Sequence, residues 1–177
     1  SINKISEKKN KNSLLTDKTE YIHFVLLGDS CSGKTCFFER YFKHKFPIDS
    51  LGTIGFYKEC KMIKYDKYIF KLTCWDTEGV VRFKCLPKRY LNKSNAILLF
   101  LDLTSENSLD NINSWIKYIE MHSDCIIYLI GNKIDSCRKI SKEQAEQLAN
   151  SFNIKYFEVS CKSDINISEV ISNIILE

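Results

Sequence analysis

Two uninterrupted apolar runs in the second half of the chain constrain its fold more than any other feature. They cover Ala96 to Leu101 and Cys125 to Ile130. Each has the length of a β-strand, and because neither alternates polar with apolar residues, both faces of each strand must be covered. Segments with apolar residues three, four and seven positions apart, typical of amphipathic helices, alternate with such strands. The pattern predicts an α/β domain with a six-stranded, mostly parallel sheet covered by helices on both faces.

The same two periodicities predict the other elements. The further strands are expected at Tyr21 to Leu27, Ile54 to Ile63, Tyr68 to Trp75 and Lys155 to Ser160. Helices are expected from about Gly33 to Lys43, around Leu109 to Ile119, from about Ser141 to Ser151, and around Ile167 to Ile175. Residues 1–20 are rich in Ser, Asn, Lys and Glu, so we expect a flexible N-terminal arm followed by a single domain over residues 21–177.

The composition excludes several classes of protein. A chain of 177 residues with 44% hydrophobic and 27% charged residues is ordinary for one globular domain. Its net charge of +4 is small for a protein that binds the phosphate backbone of nucleic acids, so we expect no nucleic-acid partner. No apolar stretch reaches the length of a membrane span, and the first residues are too polar for a signal peptide, which predicts a soluble domain. Together with the unpaired cysteines described next, this predicts a cytoplasmic protein.

Eight cysteines are scattered along the chain without a C-x-x-C pair. Zinc ligation would need paired spacings, and the three histidines lie near no cysteine cluster. We therefore predict reduced, buried thiols rather than a metal site or a disulfide framework.

The segment from Gly28 to Thr35 reads G-D-S-C-S-G-K-T and matches the pattern G-x-x-x-x-G-K-[ST]. It lies between a predicted strand and a predicted helix, which is the context that makes this pattern a phosphate-binding loop rather than an incidental turn. Its backbone amides and the helix N-terminus would face the phosphates. Lys34 is expected to reach the β- and γ-phosphates of a nucleoside triphosphate, and the Thr35 hydroxyl to bind Mg²⁺. The residues predicted to contact nucleotide here are Asp29, Ser30, Cys31, Ser32, Gly33, Lys34, Thr35 and Cys36.

Two further motifs follow strands whose carboxyl ends should meet this loop. Asn132-Lys133-Ile134-Asp135 follows the run ending at Ile130, and Ser160-Cys161-Lys162 follows the strand ending at Val159. A carboxylate at this edge can accept hydrogen bonds from guanine N1–H and its 2-amino group, which adenine lacks. A buried carboxylate left without those donors is costly, so such a site can reject the wrong base by on the order of 10⁴. N-K-x-D alone is more often a surface turn, but its position after the phosphate loop favours base recognition.

With these motifs in this order, the chain resembles small GTPases of the Ras superfamily, and within it the Rab branch, over roughly Tyr21 to Glu177. The resemblance implies the small G domain of the P-loop nucleoside triphosphatases, with GTP or GDP and Mg²⁺ as cofactors. It also implies that Asp135 recognises guanine, that Asn132 braces the loop, and that Lys133 and Lys162 pack their stems against the base. The Cys161 amide would meet guanine O6, and Ser160 belongs to the same loop. Phe46 matches the aromatic residue that lies across the purine.

The resemblance also assigns the two switch segments. Thr53-Ile54-Gly55 looks like the first switch, in which Thr53 would bind Mg²⁺ and the γ-phosphate in the triphosphate state only. Asp76 and Gly79 match D-x-x-G, with Asp76 in the second shell of Mg²⁺ and the Gly79 amide on the γ-phosphate. Thr35, Thr53 and Asp76 are thus the expected metal residues, and Lys34, Thr53 and Gly79 the expected catalytic ones.

Short motifs place the chain nearer to Rab than to Ras or Rho proteins. They are Trp75-Asp76-Thr77, Arg82-Phe83-x-x-Leu86, Asp102-Leu103-Thr104-Ser105, Asn111-Ile112 and Trp115. Phe56-Tyr57 departs from the usual Rab pattern of a small apolar residue and an acid, so no subtype or effector can be assigned from it.

The second switch departs from the family pattern D-T-A-G-Q-E-R-F, because it reads D-T-E-G-V-V-R-F from Asp76 to Phe83. Val80 replaces the glutamine that orients the attacking water, and the loss of one positioned polar group typically costs on the order of 10² to 10³ in rate. Glu78 brings a carboxylate near the expected γ-phosphate. At about 5 Å and an effective dielectric constant near 20, like charges repel by roughly 3 kcal/mol, which would disfavour GTP. The alternative is that Glu78 points to solvent.

The resemblance implies a switch of vesicle or membrane traffic with low intrinsic GTP hydrolysis. An exchange factor, an activating protein and effectors would bind a monomer at the switches, and a lipidated tail absent from this sequence would hold it on the cytosolic face of membranes. The alternative is a GTPase-like scaffold that holds nucleotide structurally without hydrolysing it. A P-loop kinase fits less well, since both guanine motifs are present and an Arg-rich lid is missing. Redox control through Cys31, beside Lys34, is a further hypothesis.

Overall fold

The fold comes from a computed structural model, which describes residues 18–47, 53, 55–77 and 88–177. Its strands are β1 (Lys18–Gly28), β2 (Phe56–Tyr65), β3 (Tyr68–Thr77), β4 (Ala96–Asp102), β5 (Ile126–Asn132) and β6 (Lys155–Val159). Its helices are α1 (Lys34–Lys43), α2 (Lys88–Leu91), α3 (Glu106–Glu120), α4 (Lys142–Ser151) and α5 (Ile167–Leu176).

The six strands form one sheet in the order β2-β3-β1-β4-β5-β6. Only β2 runs antiparallel to its neighbour, β3, and the other pairs are parallel. Parallel neighbours need crossover connections, which α1, α3 and α4 supply between successive strands. The predicted α/β architecture with a six-stranded, mostly parallel sheet is therefore confirmed.

The core consists of two apolar layers, one on each face of the sheet. Alternate residues of β1 serve both layers: Phe24 and Leu26 pack with α1 and α5, whereas Val25 and Leu27 pack with α3 and α4. All residues from 96 to 101 in β4 are buried, because this strand lies in the middle of the sheet. Burial on both faces explains why these strands carry no polar alternation.

The predicted element boundaries shift at several places. β1 begins at Lys18, which pairs with Tyr68, so the last three residues of the predicted arm belong to the sheet. The first 17 residues lie outside the described part of the chain. β2 runs from Phe56 to Tyr65 and β3 continues to Thr77. Helix α2 was not predicted, since its four residues are too few for a helical period to be recognised.

The thiols differ from the prediction. Among the seven cysteines in the described residues, all are free, but only Cys74 and Cys161 are fully buried. Cys31, Cys60 and Cys137 are exposed, so the expectation of buried thiols is wrong for them. Cys31 and Cys137 lie in loops, and Cys60 lies on β2, at the edge of the sheet.

Parallel pairing brings the carboxyl ends of five strands to one edge of the sheet. The segments that follow β1, β3, β4, β5 and β6 begin at this edge, and ligands of open α/β sheets bind there. In the described part of the chain, no helix combines the length and the apolar character that a membrane span requires.

Candidate functional site

A cavity of about 740 Å³ opens at the carboxyl edge of the sheet. This volume suits a ligand of nucleotide size, since small-molecule sites commonly measure about 300 to 1,000 Å³. Its walls come from the loop after β1, the start of α1, the end of β3 and the loops after β5 and β6. The predicted site residues that line it are Ser30, Cys31, Gly33, Lys34, Thr35, Cys36, Phe46, Thr53, Asp76, Asn132, Lys133, Asp135, Cys161 and Lys162.

The loop between β1 and α1 adopts a conformation that glycine makes possible. Gly33 has φ +98°, and a Cβ atom there would lie 2.0 Å from Nδ2 of Asn132. Gly28 has φ +133°, and its Cβ would lie 2.6 Å from the Phe100 carbonyl oxygen. Any larger residue at these two positions would displace a neighbour, so the motif's glycines are explained by close packing as well as by backbone conformation.

Lys34 is the buried cation of this loop, with 4% of its surface exposed. Its Nζ donates hydrogen bonds to the carbonyl oxygens of Gly28 at 3.0 Å and Asp29 at 2.7 Å. Burial lowers the pKa of Lys34 to about 8, although the carboxylates of Asp76 and Asp29 oppose this change. A buried ammonium whose acceptors are neutral carbonyls would gain stronger, charge-assisted hydrogen bonds from an anion.

Asp76 is the buried carboxylate at the end of β3, with no exposed surface. Neither of its carboxylate oxygens has a hydrogen-bond partner among the described residues. Burial raises the pKa of Asp76 to about 6, and the nearby Thr35 hydroxyl, Lys34 ammonium and Thr77 amide offset this only in part. An unpaired buried carboxylate is costly, and a cation would relieve that cost.

The groups around Asp76 suit a hard cation. The hydroxyls of Thr35 and Thr53 are hydrogen-bonded to each other and line the same cavity. Within the described ranges no cluster of three or more His, Cys, Asp or Glu side chains could hold a metal alone. The donor set of one carboxylate and two hydroxyls fits Mg²⁺, which usually takes its other oxygen ligands from water and phosphates.

Asn132 joins three loops at the other end of the cavity and is 2% exposed. Its Nδ2 donates to the Ser32 carbonyl at 2.9 Å, and its Oδ1 accepts from the Cys161 amide at 3.3 Å. The loops after β1, β5 and β6 therefore share a single side chain. Because the Cys161 amide already has an acceptor, although a distant one, a base O6 would have to share or replace that bond.

Asp135 lies at the mouth of the same end. Ser160, which is fully buried, donates from Oγ to Asp135 Oδ1 at 2.5 Å, and Ser136 donates to Oδ2 at 3.2 Å. The hydrogen bond from Ser160 lowers the pKa of Asp135. Asp135 itself is exposed, contrary to the buried carboxylate expected from the sequence, since N-K-x-D forms an open turn. A ligand that is recognised by this carboxylate would therefore have to exclude water from it.

Three of the predicted site residues do not line the cavity, namely Asp29, Ser32 and Ser160. The Asp29 carboxylate accepts from Asn111 Nδ2 at 2.8 Å and from Trp115 Nε1 at 2.9 Å, which ties the loop to α3. The Ser32 hydroxyl is buried with no hydrogen-bond partner in the described part of the chain. Ser160 contacts Asp135 rather than the cavity.

The second-switch predictions at Glu78, Gly79, Val80 and Val81 lie outside the described residues.

Two residues important for the site were missed by the sequence analysis. Asp102 forms an ion pair with Lys133 at 2.6 Å, so the ammonium of Lys133 is anchored while its stem lines the cavity. Arg40 of α1 reaches the loop after β6 and the ring of Phe46. A single arginine within the aromatic stretch of α1 was the available signal, but a charge on a helix is more often solvated.

Comparisons with known proteins agree with this geometry. The family model described as "Ras family" matches residues 23–177. The chain is 40% identical over 149 residues to the Ras-related protein Rab-8B of Homo sapiens, covering 82% of this chain and 72% of that protein. It is 40% identical over 147 residues to Rab-8A of Gallus gallus, covering 81% and 71% of the two chains. For Rab-13 of Rattus norvegicus the identity is 36% over 154 residues, covering 85% and 76%. The chain therefore belongs to the Ras family and is a Rab-like small GTPase.

Proposed function

We propose that this protein is a guanine-nucleotide-dependent switch of the Rab type, which binds GTP and GDP with Mg²⁺ and regulates vesicle or membrane traffic. The observation that carries the proposal is that three kinds of chemical group line one cavity. A buried lysine, a buried aspartate without a hydrogen-bond partner among the described residues, and the Asn132 and Asp135 side chains at the end of β5 all line it. The names of the relatives, which are Rab proteins, support the assignment to membrane traffic.

At the phosphate end, Lys34 and the amides of the loop after β1 would hold the β- and γ-phosphates. Thr35, Thr53 and Asp76 would hold Mg²⁺, which when bound neutralises charge on the phosphate oxygens. Thr53 would engage the ion and the γ-phosphate in the triphosphate state only. The Thr35 and Thr53 hydroxyls are hydrogen-bonded to each other, so both oxygens lie close enough together to bind one ion.

At the base end, Asp135 would accept hydrogen bonds from guanine N1–H and the 2-amino group. Adenine has no donor at either position, so an adenine nucleotide would leave the carboxylate unpaired once the base covers it. Phe46 and the stems of Lys133 and Lys162 would cover the faces of the purine, and the Cys161 amide would contact O6. The base site therefore selects guanine by hydrogen-bond complementarity.

We infer slow intrinsic hydrolysis. The side chain of Val80 can neither donate nor accept a hydrogen bond, so it cannot orient the attacking water as the glutamine does. Lys34, Thr53 and the Gly79 amide would still stabilise the transferring phosphoryl group, and an activating protein could supply the missing groups in trans. The scaffold alternative is favoured by Val80 and Glu78, whereas the retention of Thr35, Thr53, Asp76 and Gly79 favours switching.

Partners would be regulators and effectors that read the two switches. The aromatic side chains beside the switches support this: Phe56 stacks on Tyr90 with centroids 5.0 Å apart, and Trp75 lies 4.7 Å from Tyr90. Phe56 and Tyr57 are exposed. We expect the protein to act as a monomer, attached peripherally to the cytosolic face of membranes through a lipidated tail.

Equilibrium competition tests the proposal on nucleotide-stripped protein with Mg²⁺. GDP and a non-hydrolysable GTP analogue should bind with comparable affinity, and ATP should bind far more weakly. A strong preference for GDP would support the scaffold alternative and would indicate that Glu78 disfavours GTP. In that case Glu78→Ala should restore the affinity for the GTP analogue. Comparable binding of ATP and GTP would refute the guanine assignment.

Asp135→Asn provides a matched test of the base site. An asparagine presents an amide donor where guanine needs an acceptor, so GDP affinity should fall at least about 100-fold. Xanthosine diphosphate has a carbonyl in place of the 2-amino group, and it should bind the variant better than GDP does.

A further inference from the structure

We propose that Arg40 is a positioning residue for guanine recognition, which orients Asp135 through one peptide group and one hydroxyl. This inference rests on the proposed function. Arg40 lies on α1, whereas Asp135 follows β5, and the two side chains are connected through the loop after β6.

The guanidinium group of Arg40 binds two successive carbonyls of that loop. Its Nε donates to the Cys161 carbonyl at 2.9 Å, and one terminal nitrogen donates to the Lys162 carbonyl at 2.9 Å. The planar guanidinium presents its donors in a fixed fork, so it sets the orientation of both carbonyls and not only their distance.

The peptide group between Lys162 and Ser163 couples the Lys162 carbonyl to the Ser163 amide, so an orientation fixed at the carbonyl is also fixed at the amide. A trans peptide is planar, and its carbonyl and its amide point in opposite directions. Here the carbonyl accepts from Arg40, while the Ser163 amide donates to Ser160 Oγ at 2.9 Å. The Ser160 hydroxyl then donates to Asp135 Oδ1 at 2.5 Å. A continuous hydrogen-bonded chain therefore joins Arg40 to the carboxylate that would recognise guanine.

Arg40 also contacts Phe46, which lines the same cavity. Its guanidinium carbon lies 5.7 Å from the centroid of the Phe46 ring, within the range of a cation–π interaction. Phe46 follows the end of α1, where the His44 amide donates to the Arg40 carbonyl at 3.1 Å. One residue thus touches both the loop that positions Asp135 and the ring that would cover the purine.

The loop does not depend on Arg40 to close. Ser160 and Ile165 exchange backbone hydrogen bonds of 3.2 and 3.0 Å, and the Cys161 side chain is buried in the core. Removing the guanidinium should therefore leave the loop folded but its peptide groups less well oriented. A purely structural role would predict that the loop unfolds without the guanidinium. A positioning role predicts that the loop stays folded and that only the orientation of its peptide groups changes.

The experiment compares GDP with inosine diphosphate, which lacks the 2-amino group and so loses one of the two hydrogen bonds to Asp135. Arg40→Gln should raise the GDP dissociation rate about tenfold and reduce the ratio of GDP to inosine diphosphate affinity severalfold, since charge-assisted contacts are lost. Arg40→Lys keeps the charge without the fork, so it should not restore the ratio. The concentration of Mg²⁺ that half-saturates the effect on GDP release should stay unchanged.

Arg138→Ala is the matched control, because this arginine pairs with Glu158, before the loop, and not with the Cys161 and Lys162 carbonyls that Arg40 binds. It should leave the affinity ratio unchanged. An equal loss of GDP and inosine diphosphate affinity in Arg40→Gln would overturn the inference, as would wild-type behaviour. If Arg40→Gln does not fold, an unchanged ratio in Arg40→Lys overturns it. Failure of the wild-type protein to bind GDP would instead refute the proposed function.

Discussion

The two ends of the cavity are built differently. At the base end, buried polar groups satisfy one another: Asn132 bonds to two loops, and Ser160 bonds to both Asp135 and Ser163. At the phosphate end, the described residues offer Asp76 no hydrogen-bond partner, and the two hydrogen bonds that the Lys34 ammonium donates to them go to neutral carbonyls. The base end is therefore preformed by protein contacts, whereas the phosphate end is left for ligand groups to complete.

This difference has a thermodynamic meaning. Unpaired buried charges destabilise the ligand-free protein, and a ligand that pairs them gains that free energy on binding. Removal of either buried charge, Lys34 or Asp76, should therefore affect affinity strongly while sparing, or even raising, the stability of the empty protein. Changes at the base end that leave Asp135 in place should affect affinity more weakly, and they should act on the selectivity for guanine.

The largest effect is expected for Lys34→Ala. It removes the buried cation that would meet the phosphates, so GDP affinity should fall roughly 1000-fold, or about 4 kcal/mol. The free energy of unfolding without nucleotide should change far less, because burial lowers the pKa of Lys34 to about 8 and so disfavours the ammonium in the folded protein. Calorimetric titration and urea denaturation measure the two quantities.

Lys43→Ala is the control for this prediction, since Lys43 is exposed, pairs with Glu39 at 2.6 Å and also lines the cavity. It should change GDP affinity little. A loss of GDP affinity below tenfold in Lys34→Ala would contradict the contrast between the two ends.

The second effect concerns Asp76→Asn in the absence of metal and nucleotide. The folded pKa of Asp76, about 6, lies above the ordinary value of 3.8, so the folded state binds the proton more tightly than the unfolded state. The cost of the ionised form is therefore fully present above pH 6 and is relieved as the pH falls from 6 towards 3.8. The variant should be more stable than the wild type at pH 7.5, by up to about 3 kcal/mol.

The pH dependence of stability tests whether the ionised carboxylate of Asp76 destabilises the folded protein, as its raised pKa predicts. Between pH 7.5 and pH 5.0 the difference in unfolding free energy between variant and wild type should shrink by about 1 kcal/mol. Subtracting the two proteins removes the contribution of the other carboxylates. Urea denaturation in a metal chelator measures the difference, and with Mg²⁺ and GDP present the order of stability should reverse. A variant less stable than the wild type at pH 7.5 without ligand would show that Asp76 has partners in solution.

The sequence predicted the components of the site better than their surroundings. Lys34, Asn132 and Asp135 could be recognised because fixed spacings place them at strand ends, and parallel topology brings those ends together. It could not reveal that Asp29 turns towards α3 or that Arg40 binds the loop after β6, because these contacts depend on how helices pack on the sheet. The exposure of the Asp135 side chain could not be predicted from the sequence for the same reason. The short helix α2 has no periodicity to detect.

A third effect should follow from Trp115→Phe, which tests whether α3 supports the phosphate end. The indole Nε1 donates to Asp29 Oδ1 at 2.9 Å, and Lys34 binds the carbonyl of the same residue. Loss of a hydrogen bond to a charged group should cost about 1.5 to 3 kcal/mol of unfolding free energy, with a severalfold faster release of GDP. Trp75→Phe, at a tryptophan that packs on Tyr90, should not accelerate release. Equal release rates in the two variants would disprove the support by α3.

The smallest effect is expected at the base end, for Ser160→Ala. The change removes the donor to Asp135 Oδ1 and the acceptor of the Ser163 amide, and the pKa of Asp135 should rise towards its ordinary value because that hydrogen bond lowers it. Since Asp135 is exposed, water can replace the lost donor, so GDP affinity should fall only about three- to tenfold.

Ser136→Ala is the matched control, because Ser136 donates to the other oxygen of the same carboxylate from an exposed position at 3.2 Å. A competition assay with GDP and inosine diphosphate distinguishes the two serines. Ser160→Ala should lower the preference for GDP, whereas Ser136→Ala should leave it unchanged, because only Ser160 joins Asp135 to the buried loop. If both variants behave alike, the carboxylate is oriented by solvent and by the nucleotide itself, and the base end is no more preformed than the phosphate end.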